Sequence, residues 1–200
     1  MQQILFASSN ANKIQEIKAL LPQGIELLSL SDIGYNEEIP ENELTIEGNA
    51  IAKACYLSNR LNIPCFADDT GLCIPALNGE PGVFSARYAG PQKNSSDNIQ
   101  KVLEKLGENS NRDAYFETVI ALHDGKQTWV FSGRVNGTIT KQVKGDFGFG
   151  YDPIFTPNGY NKTFAELSFE EKNKISHRRL ALDKMLEHFT TREKKSNSTH

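Results

Sequence analysis

The sequence predicts an α/β domain built on a mixed sheet, and two observations carry that prediction. Segments with helical periodicity alternate along the chain with short apolar, strand-like runs. One tight turn, Asp124-Gly125, joins the strand-like runs Tyr115 to Leu122 and Thr128 to Val135, so antiparallel pairing is present as well. Two hundred residues suffice to bury the core of one domain, and no internal repeat or low-complexity linker divides them.

The elements follow in order. Gln3-Ile4-Leu5-Phe6-Ala7 reads as a strand, Ser8-Ser9-Asn10 as a loop, and the next segment as a helix whose Ile14, Ile17 and Leu21 form an apolar stripe until Pro22 and Gly24 end it. Thr45 is placed to cap a second helix that buries Ile46, Ala50, Ala54, Leu57 and Leu61 and stops at Pro64. Cys65-Phe66-Ala67 reads as a short buried strand ending in Asp68-Asp69. From Ala76 to Gln92 the chain is rich in Gly and Pro and reads as a functional loop. A third helix runs from about Ser96 to Leu106, with Gly107 as its cap. Ser168 and Glu171 form a capping box for a helical segment to Phe189, striped by Ile175, Leu182, Leu186 and Phe189. Ser176 offers a break where a fresh helix could start. The domain therefore spans 1–190, and 191–200 is a polar C-terminal tail expected to fray.

Composition excludes several classes. A net charge of -3 argues against broad nucleic-acid binding, which needs a basic surplus, but leaves room for a small anionic ligand held by local cations. Cys55, Cys65 and Cys73 are odd in number and lack zinc or redox spacing, so they read as core residues in a reducing compartment. With no charged-then-apolar leader and no long apolar run, the expectation is a soluble cytoplasmic protein without a membrane partner.

Some positions break local rules. Lys13 lies in a helix's first turn, where the dipole disfavours an exposed cation by about 0.3–1 kcal/mol; a bound anion would reverse that sign. Ser8, Ser9 and Asn10 add donors there, although Asn10 could simply cap the helix and Lys13 be a solvated lysine. Lys53 sits at the edge of the second apolar stripe, where snorkelling is the plain account. Asp68 and Asp69 at a strand end point to opposite faces, and each suffers the other's charge. Mg²⁺ would relieve that repulsion, with Glu41 or Glu43 adding an oxygen ligand, while an Asx turn with Thr70-Gly71 explains the pair equally well. Arg178 and Arg179 flank packed surface and form a donor-rich patch with His177 and Lys172. Gly145 to Gly150, with Phe147, Phe149 and Tyr151, suits either a base-stacking pocket or a tight turn.

Taken together, Ser9-Asn10-x-x-Lys13, Ala67-Asp68-Asp69-Thr70-Gly71-Leu72, Gly82-x-x-Ser85-Ala86-Arg87-Tyr88-Ala89-Gly90, Phe149-Gly150-Tyr151-Asp152-Pro153 and Ser176-His177-Arg178 resemble the inosine triphosphate pyrophosphatase family. The resemblance runs from about Ile4 to Phe189. It implies a two-lobed α/β fold with a long mixed β-sheet and a nucleotide cleft between the lobes, in a homodimer. It also implies Mg²⁺-dependent hydrolysis of ITP, dITP and XTP to the monophosphate and pyrophosphate, which keeps deaminated purines out of DNA and RNA. On the matching positions, Ser8, Ser9, Asn10, Ala11, Asn12, Lys13 and Lys53 hold the triphosphate, Thr70 lies beside it, and Asp69 is both metal ligand and general base. Phe149, Gly150, Tyr151, Asp152, Lys172, His177 and Arg178 form the nucleoside pocket, with His177 and Arg178 donating to the C6 oxygen. The family's acidic loop resembles E-x-x-x-T-x-x-E-N-A. Here Glu41, Thr45, Asn49 and Ala50 match it but Gly48 replaces the second glutamate, which leaves Glu41 as the metal ligand with Glu43 or Glu47 as substitutes.

Overall fold

The structure, a computed structural model, describes residues 2–197. Its strands are β1 (Gln2–Phe6), β2 (Ile25–Leu28), β3 (Cys65–Cys73), β4 (Asp113–His123), β5 (Thr128–Ile139) and β6 (Phe155–Pro157). Its α-helices are α1 (Ala11–Leu20), α2 (Ile46–Leu61), α3 (Ser95–Leu106), α4 (Phe169–Ile175) and α5 (His177–Asn197). The strands form one six-stranded sheet in the order β2-β1-β3-β4-β5-β6. β1 runs parallel to β2 and to β3, whereas β5 and β6 are antiparallel, so the sheet is mixed as expected. At the hairpin, Asp124 Oδ1 accepts the N–H groups of Lys126 and Gln127, both at 3.0 Å, and Gly125 takes the positive φ that the turn requires.

The chain divides into two compact units. The first comprises the residues up to Asp69, Val119–Gly133 and the chain from Arg178. Its core gathers Ile4, Phe6, Ile17, Leu27, Phe66, Ile120, Leu122, Ala181, Leu182 and Met185, with the Phe6 and Phe66 rings stacked at 4.7 Å. Burying each large side chain is worth about 1.5–3 kcal/mol. This core packs α1 and α5 together with β1 and β3. The second unit comprises Thr70–Thr118 and Arg134–His177, with a core that includes Leu72, Ile99, Val102, Phe116, Ile154, Phe155 and Phe164.

Several boundaries differ from expectation. β3 does not end at Asp68-Asp69 but continues to Cys73, which removes the Asx turn as an explanation of the pair. The extension is held by side chains as well as backbone: Thr70 Oγ1 and Thr118 Oγ1 meet at 2.7 Å, and Ser85 Oγ accepts the Leu72 N–H at 2.9 Å. β2 and β6 have no counterpart in the sequence reading, being too short for a period to register. The Gly/Pro-rich loop contains 3₁₀ turns at Pro75–Leu77 and Gly82–Arg87. Ser176 does break the last helical segment, with ψ 152° between α4 and α5. The expected fraying after residue 190 is corrected, since α5 continues to Asn197; residues 198–200 of that tail lie outside the described residues. An established helix propagates at one hydrogen bond per residue, and 191–197 contains no Gly or Pro to stop it.

Candidate active site

Strand alternation sends the two adjacent carboxylates of β3 to different partners. Asp68 is 1% exposed. Its Oδ1 accepts from Lys13 Nζ at 2.9 Å and its Oδ2 from Arg178 Nε at 3.2 Å. Arg178, itself fully buried, passes its Nη1 to Glu16 on α1. Burial pushes the Asp68 carboxyl up, but Lys13 and Arg178 outweigh it and hold the group well below the usual carboxylate range. Asp69 faces Lys53 Nζ at 3.3 Å and Asn49 Nδ2 at 3.4 Å. Here burial prevails over Lys53 and Lys13, and the Asp69 carboxyl is raised. Neighbouring carboxylates thus sit in opposite regimes, one fixed as an anion and one poised to accept a proton.

The start of α1 lies beside this pair. Asn10 caps the helix by accepting the Lys13 N–H at 3.2 Å, and Ser8 Oγ accepts the Asn10 N–H at the same distance. Ser9, Asn10, Ala11 and Asn12 are exposed, so the unsatisfied N–H groups of a first helical turn face solvent there. Both readings of Asn10 hold together, since the residue that caps the helix also opens its N-terminus. The solvated Lys13 does not survive: its ammonium is ion-paired, and burial lowers its pKa despite Asp68. Nor does Lys53 snorkel to water. It is buried, and its Nζ lies 2.8 Å from Glu41 Oε1 as well as against Asp69. Burial pulls Lys53 down, but Asp69, Glu41 and Asp68 more than compensate and its pKa is raised.

Two carboxylates from separate elements, Glu41 and Asp69, therefore converge on one ammonium. No cluster of three or more His, Cys, Asp or Glu side chains placed to hold a metal occurs among the described residues. This donor set fits Mg²⁺, which takes one or two protein carboxylates and fills its octahedron with water and phosphate oxygens. Burial, Glu41 and Asp68 all oppose the charge on Asp69, a strain that a divalent cation would relieve. Glu43 and Glu47 are both exposed, Glu47 in the first turn of α2.

In the second unit, Asp152 is 2% exposed and organises the glycine-rich turn. Its Oδ2 accepts the Phe149 N–H at 2.8 Å and Lys172 Nζ at 2.6 Å. Gly148 is obligatory, because a Cβ there would stand 2.2 Å from that oxygen. Gly150 takes a positive φ of 62°. Lys172 Nζ also lies 4.7 Å from the Phe149 ring centroid, a cation–π contact. Tyr151 donates its hydroxyl to the Ser85 carbonyl at 2.8 Å, and His177 stacks on Phe116 at 4.7 Å. Asp152 and Lys172 thus shape this turn by pairing with each other. Lys172→Met is expected to destabilise the protein by about 3–5 kcal/mol, by removing the cation from a buried carboxylate. Thermal melts check this, and an unchanged Tm would show that the pair contributes nothing.

Of the donor-rich patch expected from Lys172, His177, Arg178 and Arg179, Lys172 pairs with Asp152 and Arg179 with Asp183. Nε and Nη1 of Arg178 are committed to carboxylates, because a guanidinium this deeply buried requires them. Sequence reasoning missed Glu16, Arg178's other partner. The signal was present: Lys13, Glu16 and Ile17 share one helix face at i, i+3 and i+4, so a glutamate there lies beside a buried isoleucine.

A mixed α/β sheet carrying a buried carboxylate pair, set against lysines and an open helix N-terminus, defines a protein that handles phosphate anions. The chain belongs to the Ham1 family, which it matches over residues 4–188. A dITP/XTP pyrophosphatase of Flavobacterium psychrophilum is 54% identical over 94% of this chain and 98% of that protein. One of Bacillus subtilis is 46% identical over 92% and 96%, respectively. The Staphylococcus aureus Ham1 protein superposes with a TM-score of 0.86 at 42% identity, covering 96% of this chain and all of that one. A HAM1 protein from Coxiella burnetii gives 0.87 at 40% identity over the same shares.

Proposed function

We infer that the chain hydrolyses non-standard purine nucleoside triphosphates (dITP, ITP and XTP) to the monophosphate and pyrophosphate, keeping deaminated purines out of nucleic acid. The observation that carries this reading is the split between Asp68 and Asp69, in a chain whose relatives are named dITP/XTP pyrophosphatases. Asp69, with its raised pKa, takes the proton of a water that attacks the α-phosphorus. The bond from that phosphorus to the α,β-bridging oxygen breaks, and pyrophosphate leaves with the electron pair. Asp68 stays ionised and holds Lys13 beside the start of α1. From there the ammonium and the helix N–H groups offset charge growing on the leaving group. Glu41 and Asp69 would hold Mg²⁺, which when bound neutralises phosphate oxygens.

We assign the nucleoside to Phe149–Asp152, Lys172 and His177, with Phe149 supplying the flat face. Arg178 serves as a positioning residue for Asp68. Among the described residues no helix is long and apolar enough to cross a membrane. A cytoplasmic homodimer is part of the same proposal, and sedimentation tests the dimer. Incubating the protein with Mg²⁺ and dITP, XTP, GTP or ATP, and identifying the products by phosphorus NMR, tests the chemistry. Pyrophosphate from dITP and XTP, at rates well above GTP and ATP, is expected. Release of orthophosphate would defeat the reading.

A further inference from the structure

Glu41 belongs to a loop with no strand or helix of its own, yet it meets Asp69 on Lys53. At Glu43 the backbone of that loop is tied to α2 by a side chain. Asn49, in the first turns of α2, is 1% exposed. Its Oδ1 accepts the Glu43 N–H at 3.0 Å, and its Nδ2 donates to Asp69 Oδ2 at 3.4 Å. A single amide therefore ties the loop backbone to the carboxylate. An amide is suited to this because it presents an acceptor and a donor together, which neither a carboxylate nor an alkyl group can do.

Gly48 makes the close approach possible. A Cβ at 48 would lie 2.9 Å from Glu43 Cβ and 2.9 Å from Thr45 Oγ1. Glu43 Cβ moves only with its backbone, and Thr45 Oγ1 is fixed by accepting the Gly48 N–H at 2.9 Å. Any side chain at 48 must therefore lift the loop. We propose that Asn49 is a positioning residue for hydrolysis, latching the acidic loop to Asp69, and that Gly48 is what lets the latch close. The glycine that interrupts the expected acidic pattern is then a packing requirement of this loop. The proposal rests on the roles given above to Asp69 and Glu41.

Three variants of the full chain test it, each read by hydrogen exchange at the Glu43 amide without ligand and by kcat and KM for dITP. Asn49→Leu removes both bonds, so Glu43 exchange should rise by about tenfold or more, as for a loop freed to open locally. Its kcat should fall by roughly ten- to a hundredfold, the usual loss when a group supporting a site is removed. KM should stay within about threefold, because the helix start that holds the triphosphate is untouched. Asn49→Asp keeps the acceptor but not the donor, so Glu43 should stay protected while kcat falls. Gly48→Ala would ordinarily steady a helix by up to about 1 kcal/mol; here it should speed Glu43 exchange and lower kcat. It also decides the matter if Asn49→Leu fails to fold. Wild-type Glu43 exchange and kcat in Gly48→Ala would overturn the proposal, as would a loss in Asn49→Asp confined to KM. Exchange is measured without substrate, so failure of the wild type to hydrolyse dITP defeats the proposed function while the latch is still read by itself.

Discussion

Asp69→Asn is expected to lose about a hundred- to ten-thousandfold in turnover, the usual worth of a general base, while nucleotide binding stays close to the parent's. The side chain keeps its size and its place on β3. What it loses is the proton acceptor, together with one of the two carboxylates that share Lys53. Stability should not follow activity down. A carboxyl whose folded pKa is raised favours the folded state below its unfolded pKa, and that contribution is lost as pH rises through the folded value. Above that folded value the charge on Asp69 is thus a burden on the folded protein, and a neutral amide relieves it. Pyrophosphate release from dITP, calorimetric binding and a melt on the same preparation check the three parts. Near-parental turnover at saturating Mg²⁺ would remove Asp69 from the role of base.

The Asp68-Asp69 pair shows how far the sequence could be read. That two adjacent carboxylates in a strand face opposite ways follows from the period of two, and the structure keeps it. Which of them is buried among cations, and which is poised to take a proton, depends on partners far along the chain. Arg178 lies 110 positions from Asp68, and Glu16 lies 162 from Arg178. No local pattern encodes such pairings. The starts of α1, α2 and α4 were legible because they carry capping side chains in Asn10, Thr45 and Ser168, and the end of α3 because Gly107 stops it. β6 was not, because it is three residues long and depends on a close approach to Gly137, where a Cβ would stand 2.3 Å from the Thr156 carbonyl oxygen. The same limit applies to the expected donor patch. A helix wheel puts Arg178 at the edge of packed surface but cannot show that its Nε and Nη1 meet Asp68 and Glu16.

Asp68→Asn is expected to destabilise the first unit strongly. Asp68 lies between Lys13 and Arg178, and the amide leaves the half-buried Lys13 and the buried Arg178 without their shared anion. Arg178 keeps Glu16, so its charge is still partly met, but Lys13 has no other ion pair among the described residues. Breaking a buried pair from one side costs about 3–5 kcal/mol, because the remaining charge stays desolvated. In a chain of this length that lowers Tm by roughly 10 °C or more. The pH dependence identifies the cause. A carboxyl whose folded pKa is depressed contributes stability that is fully present above its unfolded value, about 3.9, and is lost as pH falls toward the folded one. The parent should therefore lose stability steeply on acidification below about pH 4, whereas Asp68→Asn, already without that contribution, should lose less over the same interval. Urea unfolding of both proteins from pH 7 down to about pH 3 makes the comparison. Parallel curves, displaced by a constant amount, would mean that Asp68 stabilises the fold through shape and hydrogen bonding rather than through its charge.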